Sequence, residues 1–283
     1  MEIKHLESVV NGYHIHALAA GDSGTPVVLF HGAGLDSAAL SWGELLVPLA
    51  ESGHRVFAPD MLGYGDSDRP DIAYTVANQI DFALAYVESL GFEQVGLGGI
   101  SMGGAMSLGI TLKRPELVRR LVLLGPYGIQ DKAPMHHLSW AMVNLPGLME
   151  KTWQSFAKQS QLTPSALKNV LYHPERVSTP ALLADLLVEA KKPQAGMPFT
   201  HIQRDDILFT HVKTNFSDRL PDIHQPTFII HGEHDAGVPL KYAQRAASLL
   251  PNGRLEVIED AGHWVQREKA ELVNPMIINF LRD

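Results

Sequence analysis

Ser101 is the residue whose surroundings point most directly to chemistry. It sits in Gly99-Ile100-Ser101-Met102-Gly103, within the longer run VGLGGISMGGAMSLGI. A buried-strand pattern runs into it and a helical pattern leaves it. That is the setting of a nucleophile elbow, a tight strand-to-helix turn that presents a serine hydroxyl above a sheet. Such a turn needs small residues two places before and after the serine, and Gly99 and Gly103 supply them, with Gly104 adding room. A serine hydroxyl is a weak nucleophile and requires a base oriented by a carboxylate. His263, in AGHW just after a strand ending at Ile258, is the candidate base. Asp235, in HGEHDAGVP, is the candidate acid, with Glu233 and Asp260 as rivals. Acyl chemistry also needs two N–H donors for an oxyanion. Met102, directly after the serine, offers one, and Ala33 in the HGAG loop offers the second.

Other readings of these segments are weaker. No position carries GxGxxG: after Gly96 and Gly98 the third slot is Ser101, and after Gly63 and Gly65 it is Asp68. No lysine follows Gly103 or Gly104, so the phosphate-loop pattern fails as well. Asp60 to Ser67 is glycine-rich but has only Arg69 as a nearby cation, which favours a structural turn. His14-Ile15-His16 alternates along a strand and is expected at the surface rather than on a metal. His231 and His234 have a zinc-like spacing, but Asp235 gives that segment a better role. No metal and no cofactor are expected.

The elements that must position these residues follow from periodicity. Short apolar runs at Pro26–His31, His54–Asp60, Gln94–Ile100, Leu117–Leu124, Thr227–His231 and Arg254–Ile258 read as strands buried on both faces. Helical spacing falls at Ser37–Gly53, Thr75–Leu90, Met102–Lys113, Pro239–Leu250 and Val265–Leu281. Alternation of this kind predicts an α/β fold: a doubly wound, mostly parallel sheet with helices on both faces. Residues 126–221 break the pattern, being helical and rich in Met, Trp, Leu and Pro. They are expected to form a cap roofing the carboxyl edge of the sheet, where such folds bind ligands. The core is then 1–125 with 222–283, and the cap 126–221. Trp140 and Met142 of the cap, with Trp264 beside the candidate base, are the expected substrate contacts, while helical core is the expected role of most other apolar cap residues.

Composition narrows the partners. The 283 residues are 45% hydrophobic and carry 23 bases against 31 acids, a formal charge of −8. A nucleic-acid binder would show the opposite surplus. Cysteine is absent, which removes disulfides, thiolate metal sites and a cysteine nucleophile. The start MEIKHLESVV does not resemble a signal peptide, and no apolar run approaches the ~20 residues that span a bilayer. The expectation is a cytoplasmic protein acting on a small molecule, with no nucleic-acid or membrane partner.

Taken in order, HGAG, the DxxGxGxS pattern of Asp60–Ser67, GISMGG, HGEHDAGVP and GHW resemble the α/β-hydrolase family across nearly the whole chain outside the cap. The resemblance implies a core with a helical cap, no cofactor, and Ser101, Asp235 and His263 as the triad. A serine at the elbow argues against the haloalkane dehalogenases and epoxide hydrolases, which resemble this layout but use an aspartate to form a cleavable ester. The segments SMGGAMSLGITLKRPELVRRLVLLGPYGI and GHWVQREKAELVNPMIINFLRD look most like the carbon–carbon hydrolases of ring-fission dienones. That group usually carries an asparagine in the loop after its HG motif, and Ala33–Trp42 has none. Arg176, Arg204 and Arg219 lie in the cap, and none matches that group's substrate arginine. On these grounds ester cleavage through an acyl-enzyme leads, carbon–carbon cleavage of a vinylogous 1,5-diketone comes second, and a non-catalytic small-ligand receptor third.

Overall fold

The computed structural model describes residues 1–282. Eight strands form one sheet: β1 (Lys4–Val10), β2 (Tyr13–Ala20), β3 (Thr25–Phe30), β4 (His54–Pro59), β5 (Val95–Ile100), β6 (Val118–Leu124), β7 (Thr227–Gly232) and β8 (Gly253–Ile258). Their spatial order is β1-β2-β4-β3-β5-β6-β7-β8. The β1/β2 and β2/β4 pairs are antiparallel, and every other pair is parallel. All six apolar runs of the sequence are strands in this sheet. The β1–β2 hairpin was not expected as a whole, beyond the alternation at His14–His16. Its first strand is mostly exposed, so it carries no apolar run to betray it.

Because successive strand residues face opposite sides, each strand feeds two cores. Val28 and Phe30 pack on one face with residues of α2 (Val76–Ser89), α3 (Met102–Lys113) and, further along the chain, Leu240–Leu249. Val27 and Leu29 pack on the other with Trp42, Leu46 and Leu49 of α1 (Ala38–Glu51) and with Ile277 of the C-terminal helix. Side chains such as Trp42, Phe30 and Phe228 are fully buried. Each contributes about 1.5–3 kcal/mol of hydrophobic stabilisation.

Ser37 and Thr75 cap α1 and α2 by accepting from Leu40 N and Asn78 N. Between β6 and β7 the chain forms α4 (His136–Asn144), α5 (Leu148–Ala157), α6 (Pro174–Val177), α7 (Pro180–Lys191) and α8 (Met197–Asp206). Its only β contact among the described residues is one bridge, Ile207 to Val212. After β7 come α9 (Leu240–Leu249), α10 (Val265–Glu268) and α11 (Ala270–Arg282). The single closing helix expected over Val265–Leu281 is therefore two. Lys269, at φ −134°, leaves the helical region and divides them. No helix among the described residues is long and apolar enough to cross a membrane.

In the strand order, β3 lies between β4 and β5, so the chain leaves it on one side and returns on the other. A crevice opens at such a reversal beyond the carboxyl ends of the strands. The loops after β3, β5, β7 and β8 all end there, and they carry Ala33, Ser101, Asp235 and His263.

Candidate active site

Ser101 has φ 52° and ψ −115° and makes no capping hydrogen bond to the helix that starts beside it. An ordinary capping serine would adopt extended backbone and bond that helix. A non-glycine residue in this region costs of order 1–3 kcal/mol, held in place by its surroundings. Those surroundings are fixed by two glycines. A Cβ at Gly99 would lie 2.1 Å from Gly103 O, and one at Gly103 would lie 2.1 Å from Phe30 O. Ser101 N donates to Leu124 O at 3.0 Å, and Tyr127 N donates to Ser101 O at 2.9 Å. The turn is thus pinned to the end of β6.

Asp235 and His263, the candidate acid and base, lie side by side. His263 Nδ1 lies 2.8 Å from Asp235 Oδ2. The other carboxylate oxygen, Oδ1, accepts from Gly237 N and Val238 N, each at 2.8 Å. Asp235 is fully buried, whereas the rival carboxylates Glu233 and Asp260 are exposed. Burial pushes the Asp235 carboxyl up, but the His263 and His231 rings and the Val238 N–H more than offset this, holding it below the usual range. Burial pulls the His263 imidazole down; the charge and hydrogen bond of Asp235, with Asp36 further off, outweigh that and raise it above 6.5. Nδ1–H is committed to the carboxylate, so Nε2 holds the lone pair a base needs.

One short stretch joins the serine to this pair. Gly125, two residues before Tyr127, has φ 43°; a Cβ there would lie 2.8 Å from Asp235 Oδ2 and 3.0 Å from His263 Nδ1. Ser101 Oγ makes no capping hydrogen bond to α3, so its hydroxyl is not committed to that helix. Contacts between a nucleophile and its base are commonly long until a substrate closes the site.

Met102 is the first residue of α3, so its N–H is among the four a helix leaves without an internal partner. Ala33 is half-buried in the loop after β3. What anchors that loop was not visible in the sequence reading. Asp36 is buried and accepts from Gly32 N, Ser37 N and the Ser41 hydroxyl, each at 2.8 Å. His31 adds a strut: its Nδ1 lies 2.6 Å from Gly32 O, and its Nε2 accepts from Met61 N at 3.0 Å. An aspartate four residues beyond HG, with a serine five further on, was the available signal.

Asp60 belongs to a structural turn, as expected. It accepts from Ala38 N, Asp66 N and the His16 ring. His16 is buried against it at 2.7 Å, which corrects the surface expectation for that residue; His14 does lie exposed, against Glu7. His16, Asp60 and Asp66 are close enough to share an ion, but the Asp60 oxygens are already taken by those donors. His231 and His234 do not converge. His231 is buried with Nε2 2.7 Å from Val238 O, while His234 is exposed and stacks on Tyr172 at 3.9 Å between ring centroids.

The expected substrate contacts are placed differently from one another. Trp264 is buried with Leu162, Leu167 and Leu171 of the insert. Trp140 packs edge-on against Phe209, and Met142 is 45% exposed. Met142 faces outward with Leu138 of α4 and the flanking Met135 and Leu145, while Trp140 packs against the small cluster of Ala133, Ile207 and Val212. Arg204 is spent on Glu150 and Val143 O, and the exposed Arg176 and Arg219 lie beside Glu175 and Asp222.

A strained serine above a mostly parallel sheet, with a buried aspartate–histidine pair on later strands, defines a known architecture. The model of the α/β hydrolase fold matches residues 25–270. This chain belongs to the α/β-hydrolase family. The hydrolase is 30% identical over 280 residues to a 2-hydroxymuconate semialdehyde hydrolase of Pseudomonas putida, covering 98% of this chain and 94% of that one. It is also 30% identical over 270 residues to a 2-hydroxy-6-oxo-2,4-heptadienoate hydrolase of Pseudomonas putida, covering 95% and 92%. Among solved structures it is similar to a meta-cleavage product hydrolase from Pseudomonas fluorescens, with a TM-score of 0.79, 25% identity, and 97% and 96% of the two chains covered.

These relatives overturn ester cleavage as the leading reading of the motifs. That ranking rested on the missing asparagine in Ala33–Trp42 and on the lack of a cap arginine matching that group's substrate arginine. In this hydrolase Asp36 and Ser41 supply a buried polar anchor for that loop without an asparagine.

Proposed function

We propose that this hydrolase cleaves a carbon–carbon bond in a 2-hydroxy-6-oxo-2,4-dienoate, the class of compound named in its relatives. The observation that carries the reading is the 30% identity over 98% of the chain to a hydrolase of that class. The chemistry suits the site. In the keto tautomer of such a dienoate, C2 is a carbonyl conjugated to C3=C4, and C5 is a methylene beside the C6 carbonyl. Breaking C5–C6 then leaves its electron pair on C5, delocalised through C3=C4 onto the C2 oxygen.

In the proposed sequence Ser101 Oγ adds to C6 while His263 Nε2 takes the hydroxyl proton. The C6 oxyanion lies toward the N–H groups of Ala33 and Met102. C5–C6 breaks, His263 returns the proton to C5, and the acyl group stays on Ser101. Water deprotonated by His263 releases it as a carboxylic acid, restoring the serine. Asp235 holds the imidazole tautomer and stabilises its charged form. No step needs an added oxidant or cofactor.

The test is turnover of a ring-fission dienone, followed by loss of its visible absorbance. The wild type is expected to consume it, and Ser101→Ala to lose on the order of 10⁴-fold or more in kcat. A wild type inert to all such dienones, yet labelled at Ser101 by a fluorophosphonate, would sink the substrate class while sparing the nucleophile.

A further inference from the structure

Glu268, the last residue of α10, lies five positions beyond His263 and makes three contacts that the proposed chemistry does not use. Its Oε1 accepts from Gly262 N at 2.7 Å. Its Oε2 accepts from Tyr172 N at 2.9 Å and His173 N at 3.4 Å. The carboxylate therefore spans from the residue preceding His263 to the helical insert, nearly a hundred positions away in the chain.

The same insert segment grips the site at two further points. Trp264 N, on the other side of His263, donates to Val170 O at 2.9 Å. The Tyr172 ring stacks on the imidazole of His234, the neighbour of Asp235, with 21° between planes. Both residues flanking the base, and one flanking the acid, are thus held by residues 170–173. A cavity of about 200 Å³ adjoins this junction, with Lys168, Tyr172, His234 and His263 in its lining.

We propose that Glu268 is a positioning residue, seating His263 by tying Gly262 to insert residues 172 and 173. This rests on the reading of His263 as the base. A carboxylate suits the task because it only accepts, with about four lone-pair directions for three N–H donors. Glutamine does not: whichever way its amide turns, an NH₂ faces Gly262 N–H or Tyr172 N–H.

Glu268→Gln keeps the volume and breaks the tie. Its kcat on the dienone is expected to fall by about 10²-fold, the effect of a misplacement near 1 Å, with KM within threefold. Fluorophosphonate labelling of Ser101 also needs the base but not the dienone, and its rate should fall in step. The downfield proton signal of the His263–Asp235 hydrogen bond should shift or broaden. If Glu268→Gln does not fold, Gly262→Ala probes the contact from the other side, since a Cβ there would lie 2.8 Å from Tyr172 N; the same loss of kcat with KM held is expected. A lowered melting temperature with labelling, kcat and the proton signal unchanged would overturn the proposal. Slower labelling in a variant of a wild type that ignores dienones would uphold it and reject only the substrate.

Discussion

The sheet core and the helical insert differ in how much of their structure local constraints dictate. In the core, backbone and side chain agree at each functional position. Two glycines of the elbow are needed because any Cβ would strike a carbonyl at 2.1 Å. Asp235 accepts from three protein donors. In the insert, α4 shows apolar side chains to the outside, α4 and α5 begin at left-handed residues without side-chain caps, and the larger groups that are satisfied pair with each other, as Arg204 does with Glu150. A region that fixes reacting atoms tolerates little. The insert is held to no such tolerance along α4 and α5.

Substitutions can break or sharpen that contrast. The largest effect is expected at the buried acid. Asp235→Asn should cost about 10⁴-fold in kcat by presenting the wrong imidazole tautomer. The wild-type acid limb should lie above pH 6.5, because the neutral ring is the base and the folded site raises its pKa; residual activity in Asp235→Asn should show that limb moved to lower pH. A rate profile still flat well below pH 6.5 in the wild type would contradict the electrostatics.

Gly103→Ala comes next. Its Cβ has backbone on the far side and nothing flexible to displace, so a loss of about 3 kcal/mol in unfolding free energy is expected, within the range of severe steric mutants. Urea denaturation measures it, and a near-neutral result would mean the elbow can relax. The smallest effect belongs to the insert. Met142→Ser at a 45% exposed site should change stability by less than about 0.5 kcal/mol and kcat by less than twofold. A large loss of dienone turnover there would show that α4 contacts substrate after all.

The same contrast explains what could be read in advance. Six strands announced themselves because burial on both faces leaves continuous apolar runs, and α3 was bounded correctly by Ser101 and Lys113. Asp235 and Glu233 both follow β7, and what separates them, burial beside His263, is a tertiary fact that the segment HGEHDAGVP does not spell out. The β1–β2 hairpin was not foreseen, since an edge with exposed side chains carries little periodic signal. Asp36 and Glu268 were missed for another reason. Each acts by collecting backbone N–H groups, and a backbone donor looks the same in every residue of a sequence. Trp140 and Met142 share one short helix yet face differently, Trp140 toward Phe209 and Met142 outward, a distinction that composition does not carry.

The interruption between β6 and β7 also shapes how the molecule is made. β6 ends at Leu124 and β7 begins at Thr227. At about 5–20 residues per second, a ribosome needs roughly 5–20 s to supply the next strand. Through that interval Val118–Leu124, VRRLVLL, is a hydrophobic sheet edge with half its hydrogen-bonding groups unsatisfied. Its N-terminal end carries Arg119 and Arg120, one exposed and one partly so, whose charges discourage a second nascent chain from pairing there. Overproduction is where that safeguard is stretched furthest, and aggregation seeded at this edge is the failure to watch for.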